Sequence, residues 1–132
     1  MAESGQMEHN EQREECVRKL RAAVVRELEC GGDARGEELE QLLWSTLELF
    51  QDCEFHTSKN LQFTYSIKGN EMFVSRKDKS LTRATVALAM RTAVRRQQEC
   101  GAVTGPKKLG TFGASYLYPV FIRIGVIHRV EE

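Results

Sequence analysis

Residues 61–74 read LQFTYSIKGNEMFV, with apolar and polar side chains alternating on both sides of a Gly-Asn pair. Alternation with a period of two is typical of strands that bury one face. Gly69 and Asn70 predict a two-residue turn of type I′ or II′, because glycine adopts a positive φ at little cost. We therefore predict a β-hairpin in which opposite charges face each other across the turn. Its register pairs Tyr65 with Val74, Ser66 with Phe73, Ile67 with Met72 and Lys68 with Glu71.

Two amphipathic helices are predicted on the N-terminal side of this hairpin. Apolar residues recur every three or four positions in residues 11–30 and again in residues 39–53, which is the period of a helix with one buried face. Gly31 and Gly32 end the first helix, and Asp33 is a candidate N-cap for the second. Because the connection is short, we expect the two helices to form an antiparallel pair.

A third helix is predicted after a polar link at residues 75–79. Ser80 or Thr82 serves as its N-cap, and the helix ends near Cys100, where Gly101 follows. Apolar residues lie on one side of this segment and arginines on the other. The sequence therefore predicts a long basic helix that packs one face on the core.

The C-terminal part of the chain is predicted to combine a loop with an apolar element. Residues 101–113 are rich in glycine and favour a loop. The apolar segment 115–124 favours a helix by its length and its terminal glycine, although its β-branched residues alternate as in a strand. Pro119 is compatible with a helix in its first turn or at a kink. Residues 126–130 are a candidate short strand.

The length of 132 residues, with 41% apolar and 29% charged residues, is that of one ordinary globular domain. We predict a flexible N-terminus at residues 1–10 and a single α+β domain at residues 11–132. No apolar run is long enough for a signal peptide or a membrane span, so we expect a chain that is neither secreted nor membrane-spanning. The four widely spaced cysteines are interpreted as reduced thiols of a cytoplasmic protein.

The formal net charge of zero hides two halves of opposite sign. Residues 1–56 hold six basic and fourteen acidic residues, whereas residues 57–132 hold thirteen basic and five acidic ones. This asymmetry predicts either that the acidic half folds over the basic half and neutralises it, or that a basic face binds a polyanion. The sequence leaves both alternatives open.

No constellation of residues in the sequence indicates catalysis, a metal or a cofactor. Cys53 and His56 have the C-x-x-H spacing of half a zinc site, but the other half is missing. The loop at residues 105–110 resembles the start of a phosphate-binding loop, but Thr111 stands where a nucleotide hydrolase needs its lysine. The loop still offers two lysines and backbone N–H groups that suit a phosphate. We predict a protein that is not an enzyme and that holds neither metal nor cofactor.

Basic residues before and along the third helix indicate contact with phosphates. Cations near a helix N-terminus add to the positive end of the helix dipole. Residues 80–90 also resemble the recognition helix of bacterial helix-turn-helix regulators, although a hairpin replaces the preceding helix. Arg83, one turn into the helix, is the candidate for contact with a base edge. The candidate nucleic-acid-binding residues are Arg76, Lys77, Lys79, Arg83, Arg91, Arg95, Lys107 and Lys108.

The leading interpretation is a small non-enzymatic nucleic-acid-binding or regulatory protein that uses a basic surface at residues 76–108. The alternative is a protein-interaction module or homodimer whose charge asymmetry selects the partner, with Trp44, Tyr116 and Tyr118 supplying an apolar contact. Trp44 and Leu49 lie off the main apolar stripe of the second helix, which is therefore expected to contact the sheet or a second copy of the chain. Clustered, exposed basic residues would favour the first interpretation, and covered ones the second.

Overall fold

The computed structural model describes residues 2–30 and 37–128, with side chains described for residues 11–28 and 38–128. These ranges contain four α-helices, one 3-10 helix and two small antiparallel sheets, and the predicted α+β class is confirmed. In chain order the elements are α1 (Ala2–Cys30), α2 (Glu37–Leu49), β1 (Phe55–His56), β2 (Gln62–Phe63), β3 (Tyr65–Lys68), β4 (Glu71–Val74), β5 (Leu81–Thr82), α3 (Arg83–Cys100), the 3-10 helix (Pro106–Leu109) and α4 (Ala114–Ile124).

The two N-terminal helices pack as the predicted antiparallel pair. In the first half of α1, Arg13 Nε donates a hydrogen bond of 2.8 Å to the carbonyl oxygen of Leu49, the last residue of α2. In the last part of α1, Arg26 lines a groove together with Leu39 from the start of α2. Contacts that join the beginning of one helix to the end of the other require opposite chain directions.

The boundaries of these two helices differ from the predicted ones. α1 starts at Ala2, ahead of the predicted start. The flexibility of residues 1–10 stays a prediction. α2 ends at Leu49, a turn earlier than predicted, and Asp52 just beyond it has a φ of 64°, a left-handed conformation that an α-helix does not contain. The candidate cap Asp33 lies outside the described residues.

The hairpin forms with the predicted register, since β3 and β4 pair Tyr65 with Val74, Ser66 with Phe73, Ile67 with Met72 and Lys68 with Glu71. Gly69 has a φ of 60°, whereas Asn70 does not share this positive φ, a combination that fits a type II′ turn. Trp44 Nε1 donates a hydrogen bond of 3.1 Å to the carbonyl oxygen of Gly69. The second side of α2 therefore contacts the hairpin, which is the first of the two predicted alternatives.

Three short strands depart from the prediction. The predicted strand at residues 61–68 is interrupted at Thr64, because the hydroxyl of Ser75 rather than a carbonyl accepts the hydrogen bond from Thr64 N–H, at 3.0 Å. The part before the interruption, β2, pairs with β1, which lies in a segment predicted to be a connector. β5 joins β4 through the pair of Met72 with Leu81, where a helix start was predicted.

α3 and α4 confirm the two helices predicted for the second half of the chain. The Thr82 hydroxyl accepts a hydrogen bond of 3.2 Å from Thr85 N–H at the start of α3, and Gly101 ends that helix with a φ of 83°. α4 contains Pro119 in its middle rather than in its first turn. Residues 126–128 are not a strand, because their backbone groups bond to a helix carbonyl and to a side chain. The other two residues of that candidate strand lie outside the described ranges.

Buried apolar residues from all four helices and both sheets form one core. Within it the ring of Phe55 stacks on those of Phe63 and Tyr65, with centroids 5.7 and 5.8 Å apart. The Tyr65 hydroxyl donates a hydrogen bond of 2.5 Å to the carbonyl oxygen of Leu47. Burial raises the pKa of Tyr65 well above its ordinary value, so the phenol stays protonated and ties β3 to α2.

Replacing Gly69 with valine should lower the free energy of unfolding by about 1–3 kcal/mol. No atom of the described residues lies within 4 Å of the position that a Cβ would take, so the cost comes from holding a β-branched residue at a φ of 60°. Urea unfolding measures the loss. An unchanged midpoint would contradict the positive φ at this turn.

Candidate functional site

A cleft with a volume of about 550 Å³ opens between the β1–β2 loop, residues 57–61, and the segment that runs from the 3-10 helix into the first turn of α4. Its lining residues include the basic Lys59 and Lys107 and the hydroxyl-bearing Ser58, Thr111 and Ser115. Cations and hydroxyl groups that converge on one concave surface are suited to an anionic, hydrogen-bonding ligand.

Local hydrogen bonds shape the wall that the β1–β2 loop forms. Thr57 N–H donates to the carbonyl oxygen of Leu61 at 3.0 Å, and Leu61 N–H donates to the Thr57 hydroxyl at 3.1 Å. Asn60 takes a φ of 63° and donates its N–H to the Thr57 carbonyl oxygen at 2.8 Å. This tight loop leaves the side chain of Lys59 exposed at the cleft, and Leu61, predicted to lie on the buried face of a strand, is 43% exposed.

The opposite wall ends at the amino terminus of α4. Gly113 occupies the N-cap position and supplies no side-chain cap, and its carbonyl oxygen accepts hydrogen bonds from Tyr116 N–H and Leu117 N–H at 2.9 and 3.0 Å. Thr111 Oγ1 is buried and has no hydrogen-bond partner within the described part of the chain. Because α4 begins at this wall, the positive end of its helix dipole adds to the positive electrostatic potential of the lysines at the cleft.

The polar link between β4 and β5 reaches the edge of this cleft through Lys77. Its Nζ lies 4.3 Å from the ring centroid of Phe112 and 5.6 Å from that of Tyr116, which lines the cleft. Phe112 is 47% exposed. We refer to residues 57–61, 75–79 and 106–116 together as the basic cleft. Its charged residues are Lys59, Arg76, Lys77, Asp78, Lys79, Lys107 and Lys108, six basic and one acidic.

Two predicted site residues lie elsewhere and already have acidic partners. Arg83 Nε lies 3.1 Å from one carboxylate oxygen of Glu40 on α2, and Arg91 Nη2 lies 3.5 Å from the other. The Arg83 guanidinium also lies over the ring of Trp44, 5.5 Å from its centroid. The acidic half of the chain thus covers part of the basic face of α3. Arg95 is exposed on the same helix and does not line the cleft.

Of the eight predicted residues, Lys107 lines the cleft and Lys77 contacts Phe112 and Tyr116 at its edge. Arg76, Lys79 and Lys108 belong to the adjoining segments without lining the cleft itself, and Arg83, Arg91 and Arg95 lie on α3. Sequence reasoning missed Lys59 and Phe112 as site residues and assigned Tyr116 to an apolar protein contact. A cation beside Asn60, a residue type that favours tight turns, was the available signal for Lys59.

Four further predictions concern the cysteines, a metal site, a membrane span and the exposure of Trp44. Cys16, Cys53 and Cys100 carry free thiols, and the side chain of Cys30 lies outside the described ones. Among described side chains no group of three or more His, Cys, Asp or Glu residues is placed to hold a metal ion. Within residues 2–30 and 37–128, no helix has both the length and the apolar character needed to cross a membrane. Trp44, a candidate for an apolar partner contact, is only 3% exposed.

Comparisons of this chain with models of protein families, with curated proteins and with solved structures give no match.

Proposed function

We propose that this chain is a small non-enzymatic nucleic-acid-binding protein that uses the basic cleft to hold phosphates. The observation that carries the proposal is that the six basic residues of the cleft face one acidic residue, Asp78. Among the described residues, none of the six basic side chains forms a salt bridge. Cations that form no salt bridge raise the local positive potential, which attracts polyanions and steers their approach.

The acidic half of the chain neutralises basic residues elsewhere on the structure. These paired arginines differ from the basic residues of the cleft, which form no salt bridge among the described residues. Glu40 pairs with Arg83 and Arg91, and Glu14 pairs with Arg123 at 3.1 Å. A protein whose charges served only self-complementarity would be expected to pair the cleft cations with carboxylates as well, whereas Asp78, the acidic residue of the cleft, forms no salt bridge among the described residues. The open basic cleft supports a polyanion as the partner, and a regulatory role is part of the same proposal.

The protein-interaction module has weaker support. Trp44 is buried against the hairpin and Tyr116 borders the basic cleft, so two of the three aromatic residues expected at an apolar contact are used otherwise. Of the large exposed apolar residues among the described side chains, two belong to the basic cleft and the other two lie on β4 and α3, whereas protein interfaces usually bury a continuous apolar centre. These residues are Leu61, Phe73, Leu88 and Phe112.

The double variant Lys107→Ala, Lys108→Ala should bind nucleic acid more weakly and with a smaller dependence on salt. Each lost phosphate contact lowers the slope of log affinity against log salt by roughly 0.9 on duplex DNA and roughly 0.7 on single strands. Fluorescence anisotropy of labelled oligonucleotides at several salt concentrations measures both quantities. The loss should be equal for different base sequences, because phosphates carry no sequence information.

Arg83→Ala is the matched control for this experiment. Because Arg83 pairs with Glu40, we expect the variant to lose about 1–3 kcal/mol of stability while its salt slope stays unchanged. A loss of affinity that depends on base sequence would instead support the base-edge contact inferred from the sequence. If the native protein shows no salt-dependent binding to DNA or RNA near physiological ionic strength, the proposed function is wrong.

A further inference from the structure

We infer that the basic cleft selects single-stranded over double-stranded nucleic acid, by stacking an unpaired base on Phe112 while the surrounding lysines hold the flanking phosphates. The inference rests on the proposed function and adds the class of nucleic acid to it. Three observations carry it: the size of the cleft, the placement of an exposed aromatic ring among cations, and the rigid backbone on which that ring stands.

The size of the cleft matches a single nucleotide. Its volume of about 550 Å³ falls within the range of about 300–1,000 Å³ that is usual for sites holding one small molecule. A base in a duplex keeps both faces inside the stack, so a duplex presents only phosphates and groove edges to a protein. An unpaired nucleotide can place its base in such a concave site and leave its phosphates at the rim.

Phe112 does not itself line the cleft; it follows Thr111, which does, and provides at the edge of the cleft a surface on which a base can stack. Nearly half of the side chain is exposed, and Lys77 Nζ lies 4.3 Å from the ring centroid. Tyr116 stands beside it at the cleft and packs edge-on against the buried ring of Phe63, with centroids 5.0 Å apart. Aromatic rings interleaved with cations are the common feature of surfaces that bind single strands without strong sequence preference, because every base has a π face.

Backbone contacts on the C-terminal side of Phe112 fix the course of the chain that carries the ring. Gly110 and Gly113 on either side have φ values of 65° and 77°. At Gly113 the chain packs so closely on Leu81, which is fully buried, that no Cβ fits. Ala114 N–H donates to the Thr111 carbonyl oxygen at 3.3 Å and closes the turn. A preorganised ring loses little entropy when a base binds.

The test compares two labelled probes, an oligothymidylate of about 20 nucleotides and a mixed-sequence DNA duplex of the same length, in anisotropy titrations at about 50 and 150 mM salt. We expect tighter binding of the oligothymidylate. Phe112→Ala should weaken its binding by between about 5-fold and about 150-fold, the range found for loss of one base stack, and should change duplex binding by less than about 2-fold.

Phe73→Ala is the matched control variant, because Phe73 is 40% exposed and also lies near a lysine, Lys68, at 5.9 Å. Phe73 stands on β4 away from the residues that line the cleft, whereas Phe112 directly follows Thr111 of that lining. It should leave both affinities within about 2-fold of the native values. Phe112→Leu keeps an apolar side chain without an aromatic face and should show the same loss as Phe112→Ala. Phe112→Trp should retain the affinity, and thermal unfolding of each variant checks that it folds.

Each result has a distinct meaning. If both probes bind with salt dependence but equally well, and Phe112→Ala changes neither affinity, the cleft recognises phosphates alone; the inference is then wrong and the proposed function stands. If neither probe binds, the proposed function fails together with the inference. If Phe112→Leu retains full affinity, or if Phe73→Ala loses as much as Phe112→Ala, stacking at Phe112 is refuted.

Discussion

We expect the Gly113→Ala variant to lose about 2–6 kcal/mol of its free energy of unfolding. Two costs add at this position. Gly113 has a φ of 77°, which strains a residue with a side chain by about 1–3 kcal/mol. A Cβ would also lie 2.3 Å from Leu81 Cδ2, and crowding of this kind in a packed core costs about 1–3 kcal/mol more. Urea unfolding followed by circular dichroism measures the sum.

Gly110→Ala separates the two costs. Gly110 has a similar φ of 65°, but no atom of the described residues lies within 4 Å of the position of its Cβ. We therefore expect this variant to lose only the backbone cost of about 1–3 kcal/mol. If Gly110→Ala and Gly113→Ala lost equal stability, the close packing of α4 on β5 would not contribute, which would contradict the geometry at Leu81.

The parts of the fold that could be predicted are those specified by residues close together in the chain. The register of the hairpin follows from a two-residue turn and an alternating pattern within residues 61–74. The limits of α3 follow from a capping threonine and a terminal glycine, each adjacent to the helix. In both cases the sequence signal and the structure that it specifies span fewer than about 20 residues, so tertiary packing had little opportunity to override it.

The elements that could not be predicted depend on pairing between distant segments. β1, β2 and β5 have two residues each, too few to carry a periodic pattern. The interruption at Thr64 arises from a hydrogen bond to Ser75, eleven positions further along the chain. Such a contact exists only after the chain has folded, and neither residue type predicts it from the sequence.

The distinction between local signals and contacts between distant segments also explains which predicted residues lie at the candidate site. The sequence showed that basic residues are concentrated after residue 56, and of those that it singled out, Lys107 lines the cleft and Lys77 lies at its edge. It could not separate Arg83 and Arg91 from them, because their partner Glu40 lies 43 and 51 positions away. Net charge by segment indicates how many cations are available, whereas tertiary pairing decides which of them are free to bind an external anion.

The residues that follow α4 show how a side chain can replace a missing strand. Gln97 is buried on α3, and its Nε2 donates hydrogen bonds to the carbonyl oxygens of Val126 at 2.9 Å and Ala93 at 3.1 Å. Its Oε1 accepts a hydrogen bond of 2.9 Å from His128 N–H. The amide side chain thus offers this segment the donor and acceptor that a neighbouring strand would supply, which is why an apolar, β-branched sequence is held here without a sheet.

The Gln97→Leu variant should therefore lose about 2–5 kcal/mol of stability, because the Val126 carbonyl and the His128 N–H would each lack a protein partner at a cost of about 1–3 kcal/mol. Leucine has nearly the same volume and a good helix propensity, so the loss reports the hydrogen bonds rather than a cavity or a weakened α3.

Arg96→Leu, an exposed change one residue earlier on the same helix, is the control and should stay within about 0.5 kcal/mol. Urea unfolding gives both values, and amide hydrogen exchange at His128 should accelerate in Gln97→Leu alone. Equal stability of the two variants, with unchanged exchange at His128, would mean that water replaces Gln97 without cost and that the packing of Val126 and Ile127 alone holds this segment.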